Sequence, residues 1–172
     1  MTSHPDDAAC AYDPLSTLSP EERRRFQDPA VIHRMLDEVQ TIAVVGMSRD
    51  PVKPGHYVSA YMQRAGYRVI PVTPHECVVL GERAYPDLAR VPVPVDLAVV
   101  FRPGPECLGV AEQAIAAGVP RIWFQLHIPA GQGARRADAA GLQVVADSCI
   151  MVEHRALAGT GGQGLSKSRP TG

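Results

Sequence analysis

An α/β domain built on a five-stranded, mostly parallel sheet with helices on both faces is the fold class this sequence predicts, and three observations predict it. From Thr41 onward, short β-branched apolar runs alternate with helical patterns, the rhythm of βαβ units. The apolar runs are continuous rather than alternating in polarity, as strands buried on both faces require. The 172 residues, 45% of them hydrophobic, suffice for one ordinary core and hardly for two. Together they describe a Rossmann-like sheet, whose ligands sit outside the carboxyl ends of the strands.

The elements follow in order. Ser19-Pro20-Glu21-Glu22 carries a helix-start arrangement, with Ser as N-cap, Pro in the first turn and acids near the positive end of the dipole. Asp28-Pro29 is a second start, after which Val31, Ile32, Met35, Leu36 and Val39 recur at helical spacing. Ile42 to Val45 reads as the first strand, with a helix around Tyr57 to Ala65. Tyr67 to Val72 is the second strand and Leu97 to Phe101 the third, followed by a helix from Pro105 to Ala117 that Gly118 ends. Arg121 to Leu126 is the fourth, a helix through Ala134 to Ala140 is ended by Gly141, and Leu142 to Ala146 is the fifth. Residues 1–27 are expected to be a flexible segment with a short helix, 28–157 the domain, and 158–172 a disordered, Gly-rich tail.

Composition excludes several function classes. Lys and Arg total 17 against 18 Asp and Glu, a net charge of −1, so no long-range field recruits nucleic acid or an anionic membrane. The longest apolar runs have strand length, well short of the roughly 20 residues that cross a bilayer. Met1 to Pro14 holds His4, Asp6 and Asp7 where a secretory signal carries a basic and then an apolar stretch, so a cytoplasmic location is expected. Cys10, Cys77, Cys107 and Cys149 are scattered without a C-x-x-C pair, which suggests neither a zinc site nor a redox couple.

Function is therefore sought in the turns after the strands. The first reads Val45-Gly46-Met47-Ser48-Arg49-Asp50-Pro51-Val52-Lys53-Pro54-Gly55-His56-Tyr57. Gly46 lets backbone approach a ligand, Ser48 offers a hydroxyl, and the helix that follows presents unpaired N–H groups to an anion. Arg49 and Lys53 add cations suited to the phosphates of a nucleotide; alternatively, the glycines only turn the chain and the cations face solvent. A conventional NAD site is disfavoured, because Gly46-Met47-Ser48 lacks the second glycine of G-x-G-x-x-G and Thr73 stands where an acid would hold the ribose. No G-x-x-x-x-G-K-[ST] segment is present.

Ile42-Ala43-Val44-Val45-Gly46-Met47-Ser48, Gly66-Tyr67-Arg68-Val69-Ile70-Pro71-Val72-Thr73-Pro74, Leu80-Gly81-Glu82-Arg83-Ala84-Tyr85-Pro86, Val100-Phe101-Arg102, Trp123-Phe124-Gln125 and Asp147-Ser148-Cys149-Ile150-Met151-Val152-Glu153-His154 occur in one order. That series resembles the stand-alone CoA-binding proteins, a family similar to the CoA-binding domain of the succinyl-CoA synthetase α subunit. The resemblance spans roughly Asp28 to Leu157. It implies that coenzyme A lies across the strand ends, its phosphates on the turn formed by Gly46, Met47, Ser48, Arg49 and Lys53. By the same resemblance the adenosine lies by Val72, Thr73 and Pro74, and the pantetheine arm passes Phe101, Arg102 and Pro103 toward Phe124 and Gln125. The sequence departs from the family at Thr73, where Asn is usual, and at Ser148 and Met151, which replace an Arg and a Lys.

The resemblance implies a non-catalytic protein that holds CoA or an acyl-CoA. Two alternatives stay open. One is a CoA-dependent enzyme, or a ligase or transferase subunit needing a partner, in which Cys149, Glu153 and His154 take part; against it, Glu153 and His154 orient the last helix while Cys149 packs. The other is an NAD(P)-binding redox protein in which Arg49 meets a ribose phosphate. Arg102 either reaches a ligand or pairs with a nearby acid, and Trp123 is read as core rather than as a stacking surface. Partners are expected to be small molecules, with neither nucleic acid nor membrane, and a homodimer or an enzyme partner is compatible with the sequence.

Overall fold

In the computed structural model, which describes residues 17–160 and residue 167, α1 (Pro20–Phe26) and α2 (Pro29–Glu38) lead into β1 (Thr41–Val45), and α3 (Pro54–Arg64) returns to β2 (Arg68–Val72). A hairpin of two-residue strands, β3 (Val78–Val79) and β4 (Glu82–Arg83), precedes β5 (Leu97–Val100) and α4 (Cys107–Ala116). The chain then runs through β6 (Arg121–Phe124), α5 (Gly131–Ala139), β7 (Gln143–Ala146) and α6 (Ile150–Gly159). The five long strands form one sheet in the order β2-β1-β5-β6-β7, with every neighbouring pair parallel. This is the predicted doubly wound arrangement. The small hairpin was not anticipated; Leu80 (φ 52) and Gly81 (φ 76) give its turn the two left-handed residues that a tight hairpin needs.

Side chains along a strand alternate between faces, and both faces are covered. Ala43, Val45, Ala98, Val100, Ile122 and Phe124 join residues of α4 and α5 in one core layer. Ile42, Val44, Leu97, Val99, Trp123 and Val145 join residues of α2, α3 and α6 in the other. The predicted stripe on α2 buries Ile32, Met35 and Leu36, and Asp28 caps it by accepting the Ala30 N–H at 2.8 Å.

The short helix expected from Ser19-Pro20 is α1. Ser19 and Glu22 form a reciprocal capping box at the start of α1, and Phe26 at its end is 3% exposed, a burial of the kind that contributes about 1.5–3 kcal/mol. Arg23 pairs with Asp147 at 2.7 Å, and the Gln27 Nε2 donates to the Ala146 and Asp147 carbonyls at 3.1 Å. The helix therefore docks where β7 gives way to α6. Residues 1–16 and most of the closing tail lie outside the described residues; Lys167 donates through Nζ to the carbonyls of Asp37 and Val39. Among the described residues no helix is long and apolar enough to cross a membrane.

Candidate functional site

Chain direction around the sheet reverses between β1 and β5, since β1 leads outward to β2 while β5 leads the other way to β6 and β7. Connections from the two strands diverge there and leave a crevice beyond their carboxyl ends. Gly46 stands at the head of β1, its N–H donating to the Val72 carbonyl at 2.9 Å. Its φ of +85° is one that glycine tolerates and other residues resist. Contact confirms the need for a bare Cα: a side chain at 46 would come within 2.6 Å of Arg102 Cδ and 3.0 Å of the Phe101 carbonyl oxygen. From the other side, a Cβ on Gly55 would meet the Gly46 carbonyl at 3.0 Å, so the two glycines let α3 close down on the turn.

Between them the turn is braced locally. Ser48 Oγ accepts the Asp50 N–H at 3.1 Å, and Asp50 Oδ1 accepts the Val52 N–H at 3.1 Å. His56 Nδ1 donates to the Ser48 carbonyl at 2.9 Å. The Ser48 hydroxyl proton is left available to donate. The N-terminus of α3 begins Lys53-Pro54 with no side-chain cap, so its positive end is not quenched by the protein.

A cavity of about 440 Å³ opens at this point. Gly46, Ser48, Lys53 and Gly55 form its floor on the β1 side, and Phe101, Arg102 and Pro103 follow β5 into it. Gln125, His127 and Cys149 line it beyond β6 and β7. A second cleft of about 390 Å³, shared by Gly46, Val72, Pro74 and Arg102, lies toward α4. Arg102 borders both clefts, and its Nε is held 2.6 Å from Glu106 Oε2, so the acid pairing read from sequence is present in a residue that also lines the cavities.

Of the thirteen residues singled out from sequence, Gly46, Ser48, Lys53, Phe101, Arg102, Pro103 and Gln125 line the first cavity, and Val72 and Pro74 the second. Four are placed otherwise. Met47 is 3% exposed, and its side chain lies in the core layer shared with α2 and α3. Phe124 is fully buried in the opposite layer, where a Cβ on Gly133 would sit 3.1 Å from its Cζ. Strand alternation explains Phe124, whose neighbour Trp123 faces the other layer, while Met47 lies beyond the end of β1, where the left-handed Gly46 turns the chain and sends the Met47 side chain into the layer of α2 and α3. Thr73 is 6% exposed and its hydroxyl accepts the His75 N–H at 3.3 Å, a local turn bond. Arg49 projects with a 78% exposed side chain and reaches Glu76 at 3.5 Å, outside both clefts.

Sequence reasoning passed over Tyr57, Leu126, His127 and Ile128, all of which line the main cavity. The last three directly follow β6, so the carboxyl-end rule could have found them. Tyr57 offered no signal, because helix periodicity does not say which residue leans over a neighbouring turn.

The far wall holds an unusual polar group. Gln125 is 4% exposed; its Oε1 accepts the Ile150 N–H at 3.4 Å, while its Nε2 is buried with no hydrogen-bond partner. A buried amide donor left unmade costs about 1–3 kcal/mol, and the residue that carries it lines the main cavity. Beside it, Cys149 is half-buried and carries a free thiol. Glu153 and His154 do not join that thiol. Glu153 Oε1 accepts the Ser148 hydroxyl at 2.7 Å, and His154, buried between Tyr61 and Tyr67, has its Nδ1 2.8 Å from the Tyr61 hydroxyl. Trp123 is core, its Nε1 donating to the Ser148 carbonyl at 2.8 Å. Cys107, beneath Pro103, has its thiol pushed up to about 12 by burial, with Glu106 adding to the rise.

Comparison with known proteins agrees with this geometry. The family described as CoA binding domain matches residues 40–155. The uncharacterized protein YneT of Bacillus subtilis is 36% identical over 131 residues, which is 75% of this chain and 97% of that protein. A structure of a Thermus thermophilus protein, cell-free ID.343, superposes with a TM-score of 0.72 at 36% identity, covering 76% of this chain and 98% of the other. The ADP-forming acetate–CoA ligase II of Archaeoglobus fulgidus is 31% identical over 84 residues, 48% of this chain and 12% of the ligase.

Proposed function

Because the chain belongs to the CoA-binding domain family, we propose that it binds coenzyme A or an acyl-CoA across the carboxyl ends of β1, β5 and β6, without catalysis of its own. The observation that carries this reading is the polarity of the main cavity. One end offers an uncapped helix start, the Ser48 hydroxyl, Lys53 and Arg102; the other offers the unpartnered Gln125 amide. A ligand with an anionic head and an amide-bearing arm matches that polarity, and CoA has both. The phosphates meet the Gly46–Lys53 turn, and the pantetheine arm runs past Phe101 and Pro103 to a carbonyl contact with Gln125 Nε2. The nucleotide's outer part occupies the second cleft, by Val72 and Pro74, where Thr73 contributes through its backbone.

Absence of catalysis is supported by the far wall. Of Cys149, Glu153 and His154, only Cys149 lines the cavity, while Glu153 and His154 are engaged by Ser148 and Tyr61. A second reading, a CoA-holding subunit that works with a partner enzyme, is favoured by the match to one segment of a much longer CoA ligase.

Side-by-side calorimetry of CoA, NADH and NADPH tests the first reading. CoA is expected to bind, more weakly as salt rises, because phosphate contacts are screened. Nicotinamide binding with no response to CoA overturns it. Turnover of acyl-CoA by the isolated chain overturns the non-catalytic part alone.

A further inference from the structure

The reactive end of CoA is a thiol, and the wall it would approach carries a second thiol. Cys149 lines the same cavity as Gly46, Ser48 and Lys53, at the head of the ten-residue helix α6. Gln125 joins that wall: its Oε1 accepts the N–H of Ile150, the residue after Cys149, and its Nε2 is buried with no hydrogen-bond partner on a residue that lines the same cavity. The last amide nitrogen of a pantetheine arm lies two methylenes from its sulfur, and the amide carbonyl is one bond beyond that nitrogen. A carbonyl held by Gln125 therefore brings the terminal sulfur into the neighbourhood of Cys149.

We propose that Cys149 is a site of reversible thiol–disulfide exchange with oxidised coenzyme A, making the cavity a covalent trap for it. This rests on the reading that the cavity binds CoA. The co-reactant is a CoA disulfide. The Cys149 thiol loses its proton to solvent, the resulting thiolate attacks one sulfur of the disulfide, and the sulfur–sulfur bond of the reactant breaks. A new bond joins Cys149 Sγ to one CoA sulfur, and the second CoA leaves as a thiolate that takes up a proton. One disulfide is consumed and one is formed, so no outside oxidant is needed; a thiol reductant reverses the step. The other described cysteines are differently placed. Cys107 is sealed in the core beneath Pro103, and Cys77 is exposed but lines neither cleft.

Intact-mass and peptide-mapping spectrometry test this on the full reduced chain incubated with CoA disulfide, with glutathione disulfide in a parallel arm and calorimetry of reduced CoA alongside. The expected product is one added CoA, less two hydrogens, on Cys149, removable by dithiothreitol and lost in Cys149→Ser. Modification of Cys149 by CoA disulfide is expected to run about tenfold or more ahead of modification of Cys77, the advantage of a held reactant. The parallel glutathione arm should show no such preference. Lys53→Ala should remove much of the advantage while leaving the thiol in place. If reduced CoA binds but Cys149 stays unmodified, or reacts equally with both disulfides, the inference fails and the binding reading survives. If reduced CoA does not bind and no preference appears, both fail.

Discussion

The Arg102 side chain lies directly over Gly46, so close that a single methyl group at 46 would sit 2.6 Å from Arg102 Cδ. The cation at the end of β5 and the bare backbone at the end of β1 thus form one corner, and each limits what the other may be.

Gly46→Ala should therefore harm both folding and binding. The left-handed φ and the contacts with Arg102 and Phe101 should together lower stability by about 1–3 kcal/mol, read by urea denaturation. Displacement of Arg102 should weaken CoA about tenfold or more by calorimetry, if each charged contact contributes about 1.5–3 kcal/mol. Wild-type stability and affinity in this variant would show that the corner is not as described.

Among the described residues Arg102 pairs with one acid, Glu106, and a phosphate would compete with it. Glu106→Gln is expected to strengthen CoA binding about twofold to tenfold by releasing the guanidinium, whereas Arg102→Ala should weaken it by a similar or larger factor. Titrations at several salt concentrations separate the two, since the Arg102→Ala variant should have the shallower salt dependence. A Glu106→Gln variant that binds more weakly contradicts the competition.

Gln125→Met removes the orphaned amide while nearly keeping its volume. Stability should change by no more than about 1 kcal/mol, because an unmade buried donor and a long 3.4 Å bond disappear together. Affinity for CoA should fall about fivefold to tenfold. Loss of stability with unchanged affinity would assign Gln125 a purely structural role.

Acid should loosen the docking of α1. Arg135 donates to Glu22, and that bond, helped by the Ser19 N–H, holds the Glu22 carboxyl at about 2, below its usual 4.5. A carboxyl depressed on folding stabilises fully above about 4.5, and the contribution is lost as pH falls from there toward about 2. The pair is partly exposed, so its contribution is about 1 kcal/mol. In thermal melts from pH 7 to pH 2, the wild-type advantage over Glu22→Gln should shrink across that window; a constant gap excludes the linkage.

Much of the cavity lining was legible in the sequence. The glycine after the first strand, the Ser19 N-cap, the glycines that end the helices and the carboxyl-end rule are local matters, and local chemistry writes them in short stretches of sequence. Met47 and Phe124 were assigned to the ligand because they neighbour true lining residues. For Phe124 the period of two along β6 sends adjacent side chains to opposite layers, and for Met47 the turn at Gly46 decides the direction. The β3–β4 hairpin was not legible, since two-residue strands are too short to carry a pattern.

Sequence by itself determined the layered α/β architecture, the glycine turn after the first strand and the family, because these follow from hydrophobic period, backbone demands and ordered motifs within the chain. Tertiary structure alone decided that Arg102 spans two clefts, that Gln125 keeps an unsatisfied donor next to Cys149, and that residues 17–27 brace the turn holding that cysteine. The reason is physical: each of these joins groups far apart along the chain, and such contacts depend on strand order and on the angles at which helices settle, which no local pattern encodes.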